Sequence, residues 1–290
     1  MPALDVLAYA KLNLSLDVLE KRPDGYHEMR MVMQTVDLCD RLRLETGTGK
    51  PLSMRSNLGF LPADGRNLAA AAALRLESET GADWGGLSIA LDKSIPVCAG
   101  LAGGSADAAA VLRGLNQLAG LHLPPERLEE IGAEVGSDVP YCVRGGTVLA
   151  RGRGERLTDL PPLPDCAVVI CKPAFSVPTP ELFRRLDGIR IRRRPDTAGL
   201  MAALEAGDLA GAARRMYNVF EDALPPRRGA EIQRLKTGLI QQGALGACMS
   251  GTGSAVFGLF DREEAAHDAR EALSELCPSV FQAETVEKLV

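Results

Sequence analysis

One stretch of the chain carries most of the information about its fold: Pro96-Val97-Cys98-Ala99-Gly100-Leu101-Ala102-Gly103-Gly104-Ser105-Ala106. Residues 87–91 before it form a short apolar run, which predicts a buried strand. Apolar residues after it recur with helical spacing; they are Ala108, Val111, Leu112, Leu115 and Ala119. Residues 96–106 are therefore predicted to be a glycine-rich loop that joins a strand to an amphipathic helix.

The composition of this glycine-rich loop favours anion binding. Small residues let the backbone approach an anion closely, and the following helix presents unpaired N–H groups and the positive end of its dipole. Ser105 is expected to cap the helix, to bond a phosphate oxygen or to touch a magnesium ion. The loop matches neither GxxxxGK[ST] nor GxGxxG. A connection that merely lets the strand and the helix pack is the alternative.

The rest of the chain predicts an α+β fold in two halves. Apolar and polar residues alternate from Leu4 to Val18, which predicts a strand, and Pro23-Asp24-Gly25 predicts a turn. Further strands are predicted at residues 29–45, 146–151, 167–171, 254–260 and 280–286, and helices at residues 67–80, 125–135, 180–187, 197–224, 229–241 and 262–276. Residues 161–164 contain three prolines and predict a linker between domains 1–160 and 161–290.

Composition and charge exclude several classes of protein. The chain has 290 residues, of which 46% are apolar and 24% charged, as in globular proteins. A net charge of −5 argues against nucleic-acid binding, and the basic run at residues 190–194 is expected to be a solvated loop. Seven cysteines without a CxxC pair predict reduced, mostly buried thiols of a cytoplasmic protein. No secretory leader, membrane span or zinc-site spacing is expected.

The glycine-rich loop resembles the ATP-binding loop of the GHMP kinases through Pro96, Gly100, Leu101 and Gly103-Gly104-Ser105. Residues 10–14 (Ala-Lys-Leu-Asn-Leu) resemble the first motif of that family, and residues 250–254 (Ser-Gly-Thr-Gly-Ser) resemble the third. The resemblance implies ATP and Mg²⁺ as cofactors. It also implies an N-terminal domain like the second domain of ribosomal protein S-five and a ferredoxin-like C-terminal domain, with the active site in the cleft between them.

Three further blocks resemble one member of the family, whose small-molecule substrate is a cytidine diphosphate sugar alcohol. They are residues 21–27 (Lys-Arg-Pro-Asp-Gly-Tyr-His), 136–140 (Gly-Ser-Asp-Val-Pro) and 176–180 (Ser-Val-Pro-Thr-Pro). By this resemblance Asp138 would accept the proton of the substrate hydroxyl, and Lys11 would stand beside it. The alternatives are a surface lysine on an edge strand and a turn or helix-cap aspartate.

The same resemblance implies a site for the cytosine ring. Tyr26 and Phe183 would enclose the ring, and His27 would exchange hydrogen bonds with its polar edge. Thr179 is expected to cap the helix that carries Phe183, with a proline in its first turn. The alternative is that Tyr26 and Phe183 are ordinary, partly buried aromatic residues.

Other residues are assigned by position in the matching motifs. Asn13, Gly251 and Thr252 would hold the substrate, and the alternative for residues 251–253 is a turn into a strand. Lys93 and Asn67 would help to hold the nucleotide, although Asn67 could instead cap the following helix.

The glycine-rich loop also departs from the pattern of the family. Cys98 stands where a glycine or alanine is expected, and Ala102 and Ala106 stand where related loops often carry glycine and serine. Because alanine has no hydroxyl, a phosphate or metal contact near position 106 has to come from Ser105 or the backbone. No carboxylate ligand for magnesium is assigned.

Two other functions remain open on the sequence. One is a different member of the family, a homoserine or mevalonate kinase, for which the Tyr26-His27 block with Phe183 has no evident use. The other is a non-catalytic nucleotide-binding protein on the same scaffold, which has no need for both Lys11 and Asp138. The chain is expected to be a monomer or a homodimer, without a nucleic-acid or membrane partner.

Overall fold

The computed structural model describes residues 2–191 and 193–289. The strands of the first half are β1 (Ala3–Lys21), β2 (His27–Thr46), β3 (Ser53–Ser56), β4 (Leu87–Asp92), β5 (Thr147–Gly152) and β6 (Arg156–Asp159). Its helices are α1 (Leu68–Thr80), α2 (Gly103–Leu118), α3 (Pro125–Ala133) and α4 (Val139–Arg144).

The second half adds strands β7 (Ala167–Lys172), β8 (Tyr217–Asn218), β9 (Gly246–Met249), β10 (Val256–Phe260) and β11 (Ser279–Val286). Its helices are α5 (Thr179–Asp187), α6 (Thr197–Glu205), α7 (Leu209–Arg214), α8 (Phe220–Ala223), α9 (Pro226–Gln241) and α10 (Glu263–Ser274). The α+β class is confirmed.

The two longest strands, β1 and β2, form an antiparallel hairpin on which the first half is built. The predicted turn joins them: Gly25 has φ of +86°, and the amide of Arg22 donates to the carbonyl of Tyr26. Strand β2 also pairs with β4 and β5, and α2 packs against β1. The strands predicted at residues 4–18 and 29–45, on either side of this turn, are thus confirmed.

Both faces of β1 are buried along its central part. Leu12, Leu14 and Leu16 belong to the hydrophobic core, as their alternation predicts. The polar residues Lys11 and Asn13 on the opposite face are at most 4% exposed. They are covered because the second half of the chain packs on this face, and that packing brings polar side chains of β1 into a protected cleft.

The sheet continues from one half of the chain into the other. Strands β11, β7, β10 and β9 lie side by side in that order. The last strand also returns to the first half, where Thr285 and Val286 of β11 pair with Val36 and Thr35 of β2. The proline-containing segment around residue 161 joins β6 to β7 without regular secondary structure. The division into domains 1–160 and 161–290 stays a prediction.

The helix expected over residues 197–224 is wrong as one element. It is divided into α6, α7 and α8, with the short strand β8 between the last two. Gly207, with φ of +63°, follows α6, and the side chain of Asp208 caps α7 by accepting from the amide of Gly211 at 2.7 Å. Strand β8 exists through parallel pairing with β1, a contact between distant parts of the chain. The sequence analysis also missed α4, β3, β6 and β9.

The cysteines are unpaired, and arginines of the basic run contact other parts of the chain. All seven cysteines are free, five are buried, and Cys98 is exposed. Within the basic run, Arg194 forms an ion pair with buried Asp17, and the guanidinium of Arg193 lies 4.8 Å from the ring centre of Tyr217. Arg192 lies outside the described residues. Among the helices that the structure describes, none is long and apolar enough to cross a membrane.

Candidate active site

A cleft of about 900 Å³ is lined by residues from both halves of the chain. From the predicted nucleotide-binding residues, positions 98–105 of the glycine-rich loop line it, whereas Pro96, Val97 and Ala106 do not. The cleft also brings together nearly all of the other predicted site residues, namely Lys11, Asn13, Tyr26, His27, Asp138, Thr179, Phe183, Gly251 and Thr252. Lys93 and Asn67 are not on its wall.

The glycine-rich loop ends at the N-terminus of α2. Ala102 occupies the N-cap position with a left-handed φ of +57° and provides no side-chain hydrogen bond to the helix. Ser105 lies inside the first turn, so the expectation that it caps the helix is wrong. The amides of residues 103–105 are first-turn donors, which have no acceptor within the helix. Their position at the cleft makes them donors for an anion.

Lys11 and Asp138 converge in this cleft, with 3.8 Å between Nζ and Oδ2. The side chain of Lys11 is 5% exposed, so the alternative of a surface lysine is excluded. Asp138 precedes α4 as its N-cap residue, but its side chain makes no capping hydrogen bond. Its carboxylate is one-third exposed and stays accessible to a ligand in the cleft.

Asn13 links this pair to the third motif. Its Oδ1 accepts from Lys11 Nζ at 2.6 Å and from the amide of Gly251 at 2.9 Å. Because both of those partners are donors, they fix which end of the side-chain amide is the oxygen. Within the described residues, the buried Nδ2 of Asn13 has no hydrogen-bond partner. A buried donor without an acceptor is unfavourable, which makes Nδ2 ready to bind a ligand oxygen.

The three motifs meet at the carbonyl oxygen of Gly100. It accepts from Lys11 Nζ at 3.1 Å and from Ser250 Oγ at 2.9 Å. A second backbone contact runs from the amide of Ala255 to the carbonyl of Ala99, over 2.9 Å. Motifs from both ends of the chain are therefore held together at the glycine-rich loop.

The aromatic residues form a cluster that differs from the expected sandwich. The ring of His27 stacks on Phe183, with centroids 4.8 Å apart and an interplanar angle of 22°. Phe220 also packs edge-to-face with Phe183, with ring centroids 4.9 Å apart. Tyr26 is 54% exposed, and the guanidinium of Arg153 lies 4.8 Å from its ring centre. Tyr26 and Phe183 therefore do not form an open slot, because His27 already covers Phe183.

Thr179 does not cap its helix, contrary to the prediction. Pro178 occupies the N-cap position, and α5 begins at Thr179 itself. The hydroxyl of Thr179 lies instead 3.0 Å from the hydroxyl of Thr252. This contact joins α5 to the loop that follows β9, and it places both hydroxyls at the cleft.

Asn67 and Lys93 are engaged away from the cleft wall. Asn67 caps α1 by accepting from the amide of Ala69 at 3.0 Å. Lys93 Nζ forms an ion pair with Asp40 and donates a hydrogen bond to Asp107 Oδ2 at 2.8 Å. All three ionisable side chains of this cluster are nearly inaccessible to solvent. The two carboxylates were missed in the sequence, since no local spacing relates them to Lys93.

The buried cluster lies directly below the glycine-rich loop. A β-carbon added to Gly103 would be 3.2 Å from Lys93 Nζ, and the amides of Ser94 and Ile95 donate to Asp40. The pKa of Asp107 is raised to about 8, mainly by burial; the neighbouring Asp40 carboxylate also raises it, whereas Lys93 lowers it. The cluster fixes the chain between β4 and α2.

Family profiles agree with this geometry. The profile described as "GHMP kinases N terminal domain" matches residues 67–146, and the one described as "GHMP kinases C terminal" matches residues 200–279. The chain belongs to the GHMP kinase family. The predicted family fold is thereby confirmed.

Individual relatives of this GHMP kinase are similar along nearly its whole length. A protein of Geobacillus sp. named 4-diphosphocytidyl-2-C-methyl-D-erythritol kinase is 44% identical over 276 residues, covering 95% of this chain and 94% of that one. A relative of the same name from Lachnospira eligens is 42% identical, with 91% of each chain covered. The crystal structure of a 4-(cytidine 5'-diphospho)-2C-methyl-D-erythritol kinase superimposes with a TM-score of 0.82 at 33% identity, covering 97% of this chain and 99% of that one.

Proposed function

We propose that this kinase transfers the γ-phosphate of ATP to the 2-hydroxyl group of 4-diphosphocytidyl-2-C-methyl-D-erythritol, in the non-mevalonate route to isopentenyl diphosphate. The observation that carries the proposal is the 3.8 Å pairing of Lys11 with Asp138 beside the glycine-rich loop. Relatives that bear the name of this activity are similar over more than nine-tenths of the chain. The cleft also holds aromatic and imidazole side chains suited to a pyrimidine base.

In the proposed mechanism the phosphates of ATP lie at the first-turn amides of α2. The substrate hydroxyl is placed next to Asp138, and Nδ2 of Asn13 donates a hydrogen bond to a substrate oxygen. As the hydroxyl oxygen bonds to the γ-phosphorus, its proton passes to the carboxylate of Asp138. The bond from the γ-phosphorus to the bridging oxygen breaks, and ADP leaves. The ammonium of Lys11 stabilises negative charge on the phosphoryl group during transfer.

Mg²⁺ is also part of the proposal, and the donor set of the cleft fits it. Ser105 offers a hydroxyl oxygen on the cleft wall. The part of the chain that the structure describes has no group of three or more His, Cys, Asp or Glu side chains that could hold a metal ion. Magnesium is usually bound through substrate phosphates, waters and only one or two protein ligands. When bound, the ion would neutralise charge on the β- and γ-phosphates.

The location and the oligomeric state are also part of the proposal. Seven free cysteines suit the reducing conditions of the cytoplasm, where we place the enzyme. We propose a monomer or a homodimer that binds a small-molecule substrate.

A coupled assay of ADP release tests the proposed function. Purified enzyme is given ATP and Mg²⁺ with the cytidylyl substrate, homoserine or mevalonate in parallel. Of the three acceptors, only the cytidylyl substrate is expected to be turned over. Homoserine and mevalonate present no base to the side of the cleft that Tyr26 and His27 line. Turnover of homoserine or mevalonate without the cytidylyl substrate would reject the assignment. ATP binding without turnover of any acceptor would favour a non-catalytic role.

A further inference from the structure

Asp187 contacts the imidazole that faces the cleft. It is the last residue of α5, and its Oδ1 lies 2.7 Å from Nε2 of His27, the first residue of β2. The side chain of His27 is 10% exposed, and its ring plane is fixed by stacking on Phe183. Lys21 lies on the other side of the same carboxylate, with 3.7 Å between Nζ and Oδ2. The sequence analysis did not single out Asp187.

This contact determines which ring nitrogen of His27 carries the proton. An ionised carboxylate can only accept hydrogen bonds, so Nε2 has to be the donor. In the neutral imidazole the second nitrogen, Nδ1, is then an acceptor with a free lone pair. No other hydrogen bond of this ring occurs among the described residues, and the ring lines the cleft. His27 therefore offers the ligand an acceptor.

We propose that Asp187 is a specificity-determining positioning residue, which holds His27 in the tautomer that selects a pyrimidine with an exocyclic amino group. This inference rests on the proposed function and deepens it. The amino group of cytosine is a donor, whereas uracil carries an acceptor oxygen at the same position. A cytosine amino group can donate to Nδ1 of His27. A uracil oxygen would face the Nδ1 lone pair and leave both acceptors unpaired.

The substitution Asp187→Asn tests this directly, because it keeps the size of the side chain. The amide Nδ2 of asparagine can donate to Nε2 of His27, and the imidazole proton can then move to Nδ1. We expect the ratio of kcat/KM for the cytidylyl substrate to kcat/KM for its uridylyl analogue to fall by roughly tenfold or more. Asp187→Glu retains an acceptor and is expected to preserve most of the selectivity.

Glu181→Gln is the matched control, because it removes the same charge from the first turn of the same helix. It is expected to leave the selectivity ratio unchanged. If Asp187→Asn lowers kcat/KM for both substrates equally, the role of Asp187 is structural and the proposal is wrong. Calorimetric titration of wild type and variant with cytidine and uridine diphosphates gives the same comparison without turnover. Failure of the wild-type enzyme on the cytidylyl substrate would instead reject the proposed function.

Discussion

Gly100 packs against the backbone of Ser250 so closely that a β-carbon on Gly100 would lie 2.1 Å from the Ser250 carbonyl oxygen. The glycine has φ of +82°, a backbone conformation that residues with a β-carbon rarely adopt. This contact joins the glycine-rich loop to the third motif, and the carbonyl of Gly100 is also bound by Lys11. The position thus requires glycine for two separate reasons.

Gly100→Ala is therefore expected to lower the free energy of unfolding by about 2–5 kcal/mol, adding left-handed strain to overpacking. The affinity for ATP should fall with it, because the loop has to move away from the third motif. Gly59→Ala is the control, since nothing lies within 4 Å of its added β-carbon. Urea unfolding and nucleotide titration measure both effects. Equal stability of the two variants would show that the contact is not tight in solution.

At Ala102 the opposite effect on stability is expected, because this residue has a side chain and yet lies in the left-handed region. Ala102→Gly removes left-handed strain of about 1–2 kcal/mol and adds about 0.5–1 kcal/mol of chain entropy. A small gain in the free energy of unfolding, about 0.5–1 kcal/mol, is expected. Ala106→Gly, in the regular part of α2, should instead lose about 1 kcal/mol. Changes of the same sign in urea unfolding would contradict this account.

The pH dependence of the free energy of unfolding should reflect the raised pKa of Asp107. The folded protein keeps its carboxyl protonated up to about pH 8, whereas an exposed aspartate ionises near pH 4. The unfolded chain therefore releases this proton first, and the contribution of Asp107 to stability is lost as the pH rises from about 4 to about 8. Asp107→Asn has no such proton to lose.

We expect the variant to gain stability relative to wild type between pH 5 and pH 8.5, by more than about 1.4 kcal/mol, the equivalent of one pKa unit. Chemical denaturation at several pH values measures the difference. Asp268→Asn, at an exposed position of α10, is the control and should give a constant offset. Parallel curves for wild type and Asp107→Asn would show that Asp107 is ionised in the folded protein.

Tyr26 should contribute to binding of the cytosine ring. Loss of its aromatic face in Tyr26→Ala is expected to raise KM for the cytidylyl substrate by roughly 5- to 150-fold, the range for one stacked base. KM for ATP should not change, and Tyr26→Phe should retain most of the affinity. Steady-state kinetics with each substrate varied in turn separates these effects. An unchanged KM for the cytidylyl substrate would remove Tyr26 from base recognition.

Local patterns were enough to predict most of the secondary structure. The alternation in β1, the glycine and proline of the following turn and the periodicity of α2 all act over a few residues, and these elements were confirmed. The division of residues 197–224 also has a local signal, since Gly207 and Asp208 are typical of a helix end and a new N-cap. Short strands such as β8 have no such signal, because pairing with β1 creates them.

The candidate site likewise contains residues that the sequence could predict and residues that it could not. The motif residues that line the cleft could be named from sequence blocks, and the structure brings nearly all of them together. The partners of His27 and Lys93 could not be named, because Asp187, Asp40 and Asp107 approach only after folding. The contact between His27 and Phe183 likewise depends on how α5 packs beside the turn that joins β1 to β2.

The turnover of Asp138→Asn tests the central claim most directly, that the carboxylate beside Lys11 accepts the proton of the acceptor hydroxyl. The variant keeps the shape of the side chain, so ATP should bind as in wild type, as measured by calorimetry. Loss of a general base is expected to lower kcat by at least ~100-fold. Asp268→Asn should have wild-type kcat. Near-normal turnover by Asp138→Asn would contradict the mechanism and remove Asp138 from the chemistry.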